Sequence, residues 1–249
     1  MSLQQHQQDW EAMAALDPLW AILSRPAQRY GHWALDSFLA TGEAEIAEVL
    51  RIGRGLGYPQ AWGRALDFGC GVGRVTRALA PRFQECVGVD ISAQMIQLAR
   101  QLNADRPNCT FVLNTAADLA AFPDRSFDLV YCNLVLMHLP SPALAGHYIG
   151  EFLRLIREGG LVVFELPYFI PWRRRLEVRR RLYQLLRRLG IREQVLYNRA
   201  GLAPIRMITV PAAEVQRQVA AHGGQIADRQ PDNQLPSGVR SCFYYVHRP

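Results

Sequence analysis

The chain predicts a doubly wound α/β fold around a mostly parallel sheet, and three observations carry that reading. From Arg64 onward, short apolar runs bounded by turn residues alternate with amphipathic stretches, the pattern that puts helices on both faces of a parallel sheet. The first run, Ala65-Leu66, breaks into Asp67-Phe68-Gly69-Cys70-Gly71-Val72-Gly73, so a strand end meets an acid and three alternating glycines before a helix begins. At 249 residues, 49% of them hydrophobic, the chain is long enough to bury the core of one large domain.

The elements follow in order. Residues 7–57 read as a helical preface: Trp10, Met13, Leu16 and Leu19 or Trp20 recur three or four apart, with a break at Asp17-Pro18 and a second stretch from His32. This aromatic-rich preface either packs on the domain or also closes over a ligand as a lid. A first helix is expected over 74–80 and a second strand over 86–90, ending in Asp90. Ser92 caps a helix over 93–103 whose apolar face carries Met95, Ile96, Ala99 and Leu102. Strands follow at 109–113 and 127–132. Ser141-Pro142 opens a helix that Gly159-Gly160 stops, and 161–166 is the fifth strand. The alternation is interrupted over 171–206, then resumes with a helix at 212–221 and strands at 225–229 and 242–247 flanking a turn-rich stretch, 231–238. The whole reads as one domain: a helical cap (1–60), a ligand-binding core (61–170), a basic helical insertion (171–206) and a segment completing the sheet (207–249).

Composition removes several function classes. All 28 basic residues are arginine, which excludes Schiff-base chemistry, pyridoxal phosphate attachment and a Walker-type phosphate loop. The five cysteines are scattered and never form C-x-x-C, so they read as reduced, buried thiols rather than zinc ligands or a disulfide framework. The N-terminus lacks a basic region followed by an apolar stretch, and no run of about 18 apolar residues occurs, so a cytoplasmic chain is expected. The net charge of +6 is local: residues 173–188 hold eight arginines and one glutamate, interleaved with Leu176, Leu182, Leu185 and Leu186 and followed by Leu189. Three readings of this amphipathic segment compete: a cover helix with its charges in water, a surface for an anionic or lipid-linked acceptor, and a nucleic-acid contact. The last is the weakest, because no added RNA-binding domain accompanies it.

The glycine loop carries the most chemistry. Glycines at 69, 71 and 73 free φ and remove Cβ atoms, so that backbone N–H groups and a helix N-terminus can approach a ligand. A dinucleotide fingerprint is G-x-G-x-x-G; here the order is D-x-G-x-G-x-G, with Asp67 two residues before the first glycine, where a carboxylate opposes a diphosphate and suits a cation. Over residues 64–166, and most specifically in this D-x-G-C-G-x-G loop, the chain resembles the class I S-adenosylmethionine-dependent methyltransferases. The ligand of that family carries a sulfonium and an ammonium and no phosphate, in agreement with the loop.

The resemblance implies a Rossmann-like, seven-stranded sheet with an antiparallel C-terminal strand, S-adenosyl-L-methionine as cofactor and S-adenosyl-L-homocysteine as product. The ligand of an open α/β sheet lies across the strands' carboxyl ends at the topological switch point. Asp67, Gly69, Cys70, Gly71 and Gly73 would then face the methionine part and the ribose edge, Cys70 as a small packing residue. Asp90, 23 residues after Asp67, is placed to accept both ribose hydroxyls, with Ile91 and Met95 as apolar walls. The family's adenine-contacting group falls to Asp118, with the backbone of Ala117, Asp118 and Leu119. Asn133 and Leu134, ending the fourth strand, would line the junction with the acceptor; the absence of an N-P-P-Y motif there weakens nitrogen methylation of bases. His138 is the imidazole placed to take a proton from an oxygen acceptor, and Glu165 and Tyr168 are further polar groups near the mouth. No cluster of acids and amides marks a metal. The expected activity is methyl transfer to a small or medium-sized acceptor, at oxygen; the alternatives are an RNA-modifying methyltransferase and a cofactor-binding protein without transfer.

Overall fold

The structure, a computed structural model, describes residues 2–232 and 238–249, so the middle of the turn expected over 231–238 lies outside the described residues. The preface forms α1 (Leu3–Leu16), α2 (Pro18–Ile22) and α3 (Leu35–Gly55). The break at Asp17 is a junction of two helices: its amide closes α1 on the Met13 carbonyl, and its carboxylate caps α2 by accepting the Trp20 N–H at 3.3 Å. That buried carboxylate also accepts the Gly31 N–H at 3.0 Å and the Tyr197 hydroxyl at 2.7 Å.

Alternation then begins: β1 (Arg64–Phe68), α4 (Arg74–Leu79), β2 (Glu85–Asp90), α5 (Ala93–Leu102), β3 (Cys109–Leu113), β4 (Phe127–Cys132), α6 (Pro142–Leu155) and β5 (Ile156–Phe169). The insertion contributes α7 (Trp172–Arg175), α8 (Val178–Arg188) and α9 (Glu193–Ala200), before α10 (Ala212–Ala221), β6 (Gln225–Asp232) and β7 (Arg240–His247). The strands form one sheet in the order β3-β2-β1-β4-β5-β7-β6. β1 to β5 pair in parallel, and β7 runs antiparallel between β5 and β6. The order reverses between β1 and β4, which opens the crevice at their carboxyl ends.

Strand residues alternate between two cores, as a sheet covered on both faces requires. Leu66, Val87, Val130 and Val162 face Phe152 of α6 and Val215 of α10. Ala65, Cys86, Leu129 and Val163 face Ile46 and Val49 of α3 and Leu79 of α4. A third cluster seats the preface, with Met13, Trp20 and Phe38 against Val72 and Met95.

One expected boundary is corrected. Gly159-Gly160 does not stop α6; the helix ends at Leu155, and β5 starts at Ile156, whose backbone is already extended and which pairs with Phe127. Leu155 and Ile156 are fully buried, so packing of a β-branched residue ends the helix, and Gly159, at φ +71°, bends the strand instead. Among the described residues no helix is long and apolar enough to cross a membrane.

Candidate active site

The crevice is built from the loop after β1 and the ends of β2, β3 and β4. Gly69 and Gly71 take φ of +76° and +53°, values that L side chains rarely adopt. The N–H groups of Gly69 and Cys70 donate to the Val89 carbonyl at 2.7 and 3.0 Å, folding the loop over the end of β2. A Cβ at Gly69 would run into the Val135 side chain, and one at Gly71 into Ile22.

Asp90 ends β2 with both carboxylate oxygens fixed: Oδ2 accepts the Gly71 N–H at 2.8 Å and Oδ1 the Ser92 N–H at 2.9 Å. Burial raises its pKa against the lowering pull of these amides. Each oxygen keeps a second lone pair, and Asp90 lines the crevice. Ser92 caps α5, and Glu11 of α1 reaches across to accept from the Ser92 hydroxyl at 2.8 Å and the Ala93 N–H at 2.6 Å. A carboxylate at a helix N-terminus is well placed.

The crevice encloses about 760 Å³, including the solvent at its mouth. Phe68, Gly69, Gly71, Asp90, Ile91, Met95, Asn114, Asn133, Leu134 and Tyr148 line it from the core, and Leu3, His6, Trp10, Ala21 and Ile22 from the preface. Seven of the expected cofactor residues are thereby brought together: Gly69, Gly71, Asp90, Ile91, Met95, Asn133 and Leu134.

The others lie elsewhere. Asp67 sits beneath the loop, buried, where its Oδ2 accepts the Thr76 hydroxyl at 2.6 Å and burial pushes its pKa up to about 7. Cys70 packs with Ile96, Ala99 and Phe111, its thiol pushed well up by burial, and Gly73 backs onto Asn103 and Phe111. Ala117, Asp118 and Leu119 do not line the crevice. Asp118 accepts the Ala120 N–H at 3.1 Å in its own turn, and the buried Leu119 donates its N–H to Glu151 at 2.7 Å. Asn114, the first residue beyond β3, takes the wall position, with its Nδ2 donating to the Asp118 carbonyl at 2.7 Å.

Asn133 belongs to a partly buried polar network. Its Nδ2 donates to Glu45 Oε1 at 2.9 Å, the Tyr131 hydroxyl donates to the same oxygen at 2.7 Å, and Arg74 pairs with Glu45 Oε2 at 2.9 Å. Its own Oδ1 is buried at the crevice wall without a donor. The sequence reading missed Glu45 and Arg74. The available signal was an acid on the helical stripe that carries Phe38, Gly42 and Val49.

His138 lies outside the crevice lining. It closes a single 3₁₀ turn after β4, donates through Nδ1 to the Arg206 carbonyl, and packs edge-on against Trp10 at 5.6 Å. It lines a smaller hollow with His6, Asp9 and Met13, and Trp10 borders both spaces. Burial lowers the pKa of His138, and burial first, with His138 second, lowers that of His6 to about 4.

Glu165 is 1% exposed with neither carboxylate oxygen hydrogen-bonded, while Tyr168 is exposed near the end of β5. Burial chiefly, opposed by Ser241 and reinforced by Asp232, pushes Glu165 up to about 8. The folded carboxyl therefore keeps a proton that the unfolded chain releases near 4.5, so stability is full below that pH and falls as pH rises toward 8. Glu165→Gln is expected to match the parent at about pH 4 and to exceed it at about pH 8, by on the order of 3 kcal/mol, in urea unfolding. Equal stability at both pH values would show that Glu165 ionises without penalty.

Residues 66–164 match the family described as Methyltransferase domain. The chain is 36% identical over 105 residues to the trans-aconitate 2-methyltransferase of Methylobacterium radiotolerans, covering 41% of this chain and 37% of that protein. It is 37% identical over 103 residues to the ubiquinone biosynthesis O-methyltransferase of Alkalilimnicola ehrlichii, covering 41% and 40%. The chain thus spans about two fifths of the length of the curated relatives it matches. Among solved structures, the magnesium protoporphyrin IX methyltransferase of Synechocystis with bound SAH aligns over 85% of this chain and 83% of that one, with a TM-score of 0.55 and 21% identity, a likeness of fold.

Proposed function

We propose that this chain is a class I S-adenosylmethionine-dependent methyltransferase, a reading that the match of residues 66–164 to the Methyltransferase domain family supports, and that it transfers the cofactor's methyl group to an acidic oxygen of a small or medium-sized acceptor. The observation that carries the reading is Asp90: a carboxylate at the crevice, fixed by two backbone amides beside a loop that leaves no room for a Cβ.

The residues present fit the cofactor. Asp90 has two free lone pairs for a ribose diol, and the unpaired Asn133 Oδ1 suits an ammonium donor. Ile91, Met95 and Asn114 offer apolar walls and one amide for a purine. When bound, S-adenosylmethionine supplies a methyl group on a sulfonium, which is an excellent leaving group. The chain's part is to align the two reactants and exclude water, and the preface residues Trp10, Ala21 and Ile22 cover the crevice, Ile22 directly against Gly71 of the loop.

An acidic oxygen is favoured because the crevice wall offers no effective base among the described residues. Its titratable groups are His6, lowered to about 4, Asp90, already bonded at both oxygens, and Tyr148, whose hydroxyl donates to the Ala116 carbonyl at 3.0 Å. A carboxylate or acidic phenol is anionic at neutral pH and needs no proton removed. The names of the two curated relatives, one acting on an organic acid and one at oxygen, support the same class.

Titration calorimetry with S-adenosylmethionine, S-adenosylhomocysteine and NAD, followed by labelled-methyl transfer to carboxylates and phenols, tests this. Tighter binding of NAD defeats the cofactor assignment; cofactor binding without transfer to any acid defeats the acceptor class. His138→Ala is expected to leave cofactor affinity unchanged and to lower turnover by less than about tenfold, since its ring faces Arg206. A fall of about a hundredfold or more would make it the base.

A further inference from the structure

The insertion turns its leucines outward. Val178, Leu182, Leu185 and Leu189 recur at spacings of four, three and four, so they form one stripe along α8 and its C-terminal end. They are 63%, 44%, 55% and 71% exposed. The opposite face is the packed one. Tyr183 is buried there, Arg180 donates to the Pro204 carbonyl and pairs with Glu177, and Arg187 pairs with Glu193. A cover helix with solvated charges would do the reverse, with leucines inward and arginines in water. Trp172, 67% exposed on α7, extends the apolar face.

Arg173, Arg174, Arg181 and Arg188 are exposed on the same segment, and none has an acidic partner among the described residues. Glu177, the one acid in residues 173–188, is occupied by Arg180 and Arg206. An apolar stripe of this kind marks an interaction surface, and the unpaired guanidinium groups give the partner's charge. Single-stranded nucleic acid would stack on aromatic platforms and leave four aliphatic side chains in water. A bilayer takes both: aliphatic groups enter the boundary between headgroups and acyl chains while arginines stay at the phosphates.

We propose that α7 and α8 form a docking surface for anionic lipid bilayers, with the Val178–Leu182–Leu185–Leu189 stripe entering the headgroup boundary and Arg173, Arg174, Arg181 and Arg188 contacting lipid phosphates. The insertion is tied to α1 and α2 through Tyr197 on Asp17 and Arg187 beside Asp9, and α1 lines the crevice. Docking itself does not depend on the methyl-transfer reading.

The test is co-sedimentation of the full chain with vesicles of phosphatidylcholine alone and with about one third phosphatidylserine, from about 0.05 to about 0.3 M salt. Binding is expected only to the anionic vesicles and is expected to weaken with salt. Leu182→Gln with Leu185→Gln should lower partitioning roughly tenfold at every salt concentration, and Arg181→Gln with Arg188→Gln should lower it and flatten the salt dependence. All four side chains are exposed, so cofactor titration on the same samples is expected to stay at the parent value and separates docking from folding and from cofactor binding. Failure to bind anionic vesicles, equal binding to neutral ones, tighter binding of an RNA oligonucleotide in a filter assay, or a dimer that the leucine substitutions dissociate would each overturn the proposal.

Discussion

Asp90→Ala is expected to weaken S-adenosylmethionine binding by about 2–4 kcal/mol, roughly 30- to 1,000-fold, the largest single loss of affinity in the crevice. Two effects combine. The carboxylate's free lone pairs are lost to the ligand, and the Gly71 N–H, held at 2.8 Å, loses the acceptor that shapes the loop. Asp90→Asn keeps one acceptor oxygen and should fall between parent and alanine. Calorimetry measures the affinity, and the shift of the unfolding midpoint by saturating S-adenosylhomocysteine checks it independently. An alanine variant that binds as the parent does would remove Asp90 from the site.

The largest loss of stability is expected at Glu45. Its two oxygens hold Arg74, Tyr131 and Asn133, and Arg74 is 4% exposed. Glu45→Ala leaves a buried guanidinium without its counter-charge and should cost about 3–5 kcal/mol. Replacing Glu45 and Arg74 together by methionine should cost less than Glu45→Ala alone, because the uncompensated charge goes with its partner. Urea unfolding of the parent and these two variants decides it. A loss below about 1 kcal/mol in Glu45→Ala would mean that water reaches Arg74 and the network is solvated.

The sheet was legible where local signals close both ends of a run. Residues 109–113 lie between Pro107-Asn108 and Asn114, and 127–132 between Asp124-Arg125-Ser126 and Asn133, and both strands have the expected bounds. β5 was not legible in full. It passes through Gly159-Gly160 and Pro167, residues that locally signal a stop, because β7, some eighty positions downstream, supplies its hydrogen-bonded edge. The crevice divides the same way. Asp90 and the glycines follow from short spacings, whereas the bond from Asn133 to Glu45 spans 88 positions and leaves only an acid on an apolar stripe as its trace. Asn114 and Asp118 differ by one turn, which spacing does not resolve. His138 has the expected place in the chain, but a single 3₁₀ turn carries its ring to the Arg206 carbonyl. Periodicity likewise finds the leucine stripe on α8 without stating which way it faces; the inward bonds of Arg179 and Arg180 decide that.

Asp17 joins a helix junction in the preface to Tyr197 in the insertion, 180 positions away. For recombination, this makes the two segments a single exchangeable unit. A crossover between residues 17 and 197 with a parent that lacks either residue leaves a buried carboxylate without one of its donors or a buried tyrosine hydroxyl without its acceptor. Grafting the preface of one such chain onto the core of another would therefore call for its own insertion as well, while the core between them stays in place.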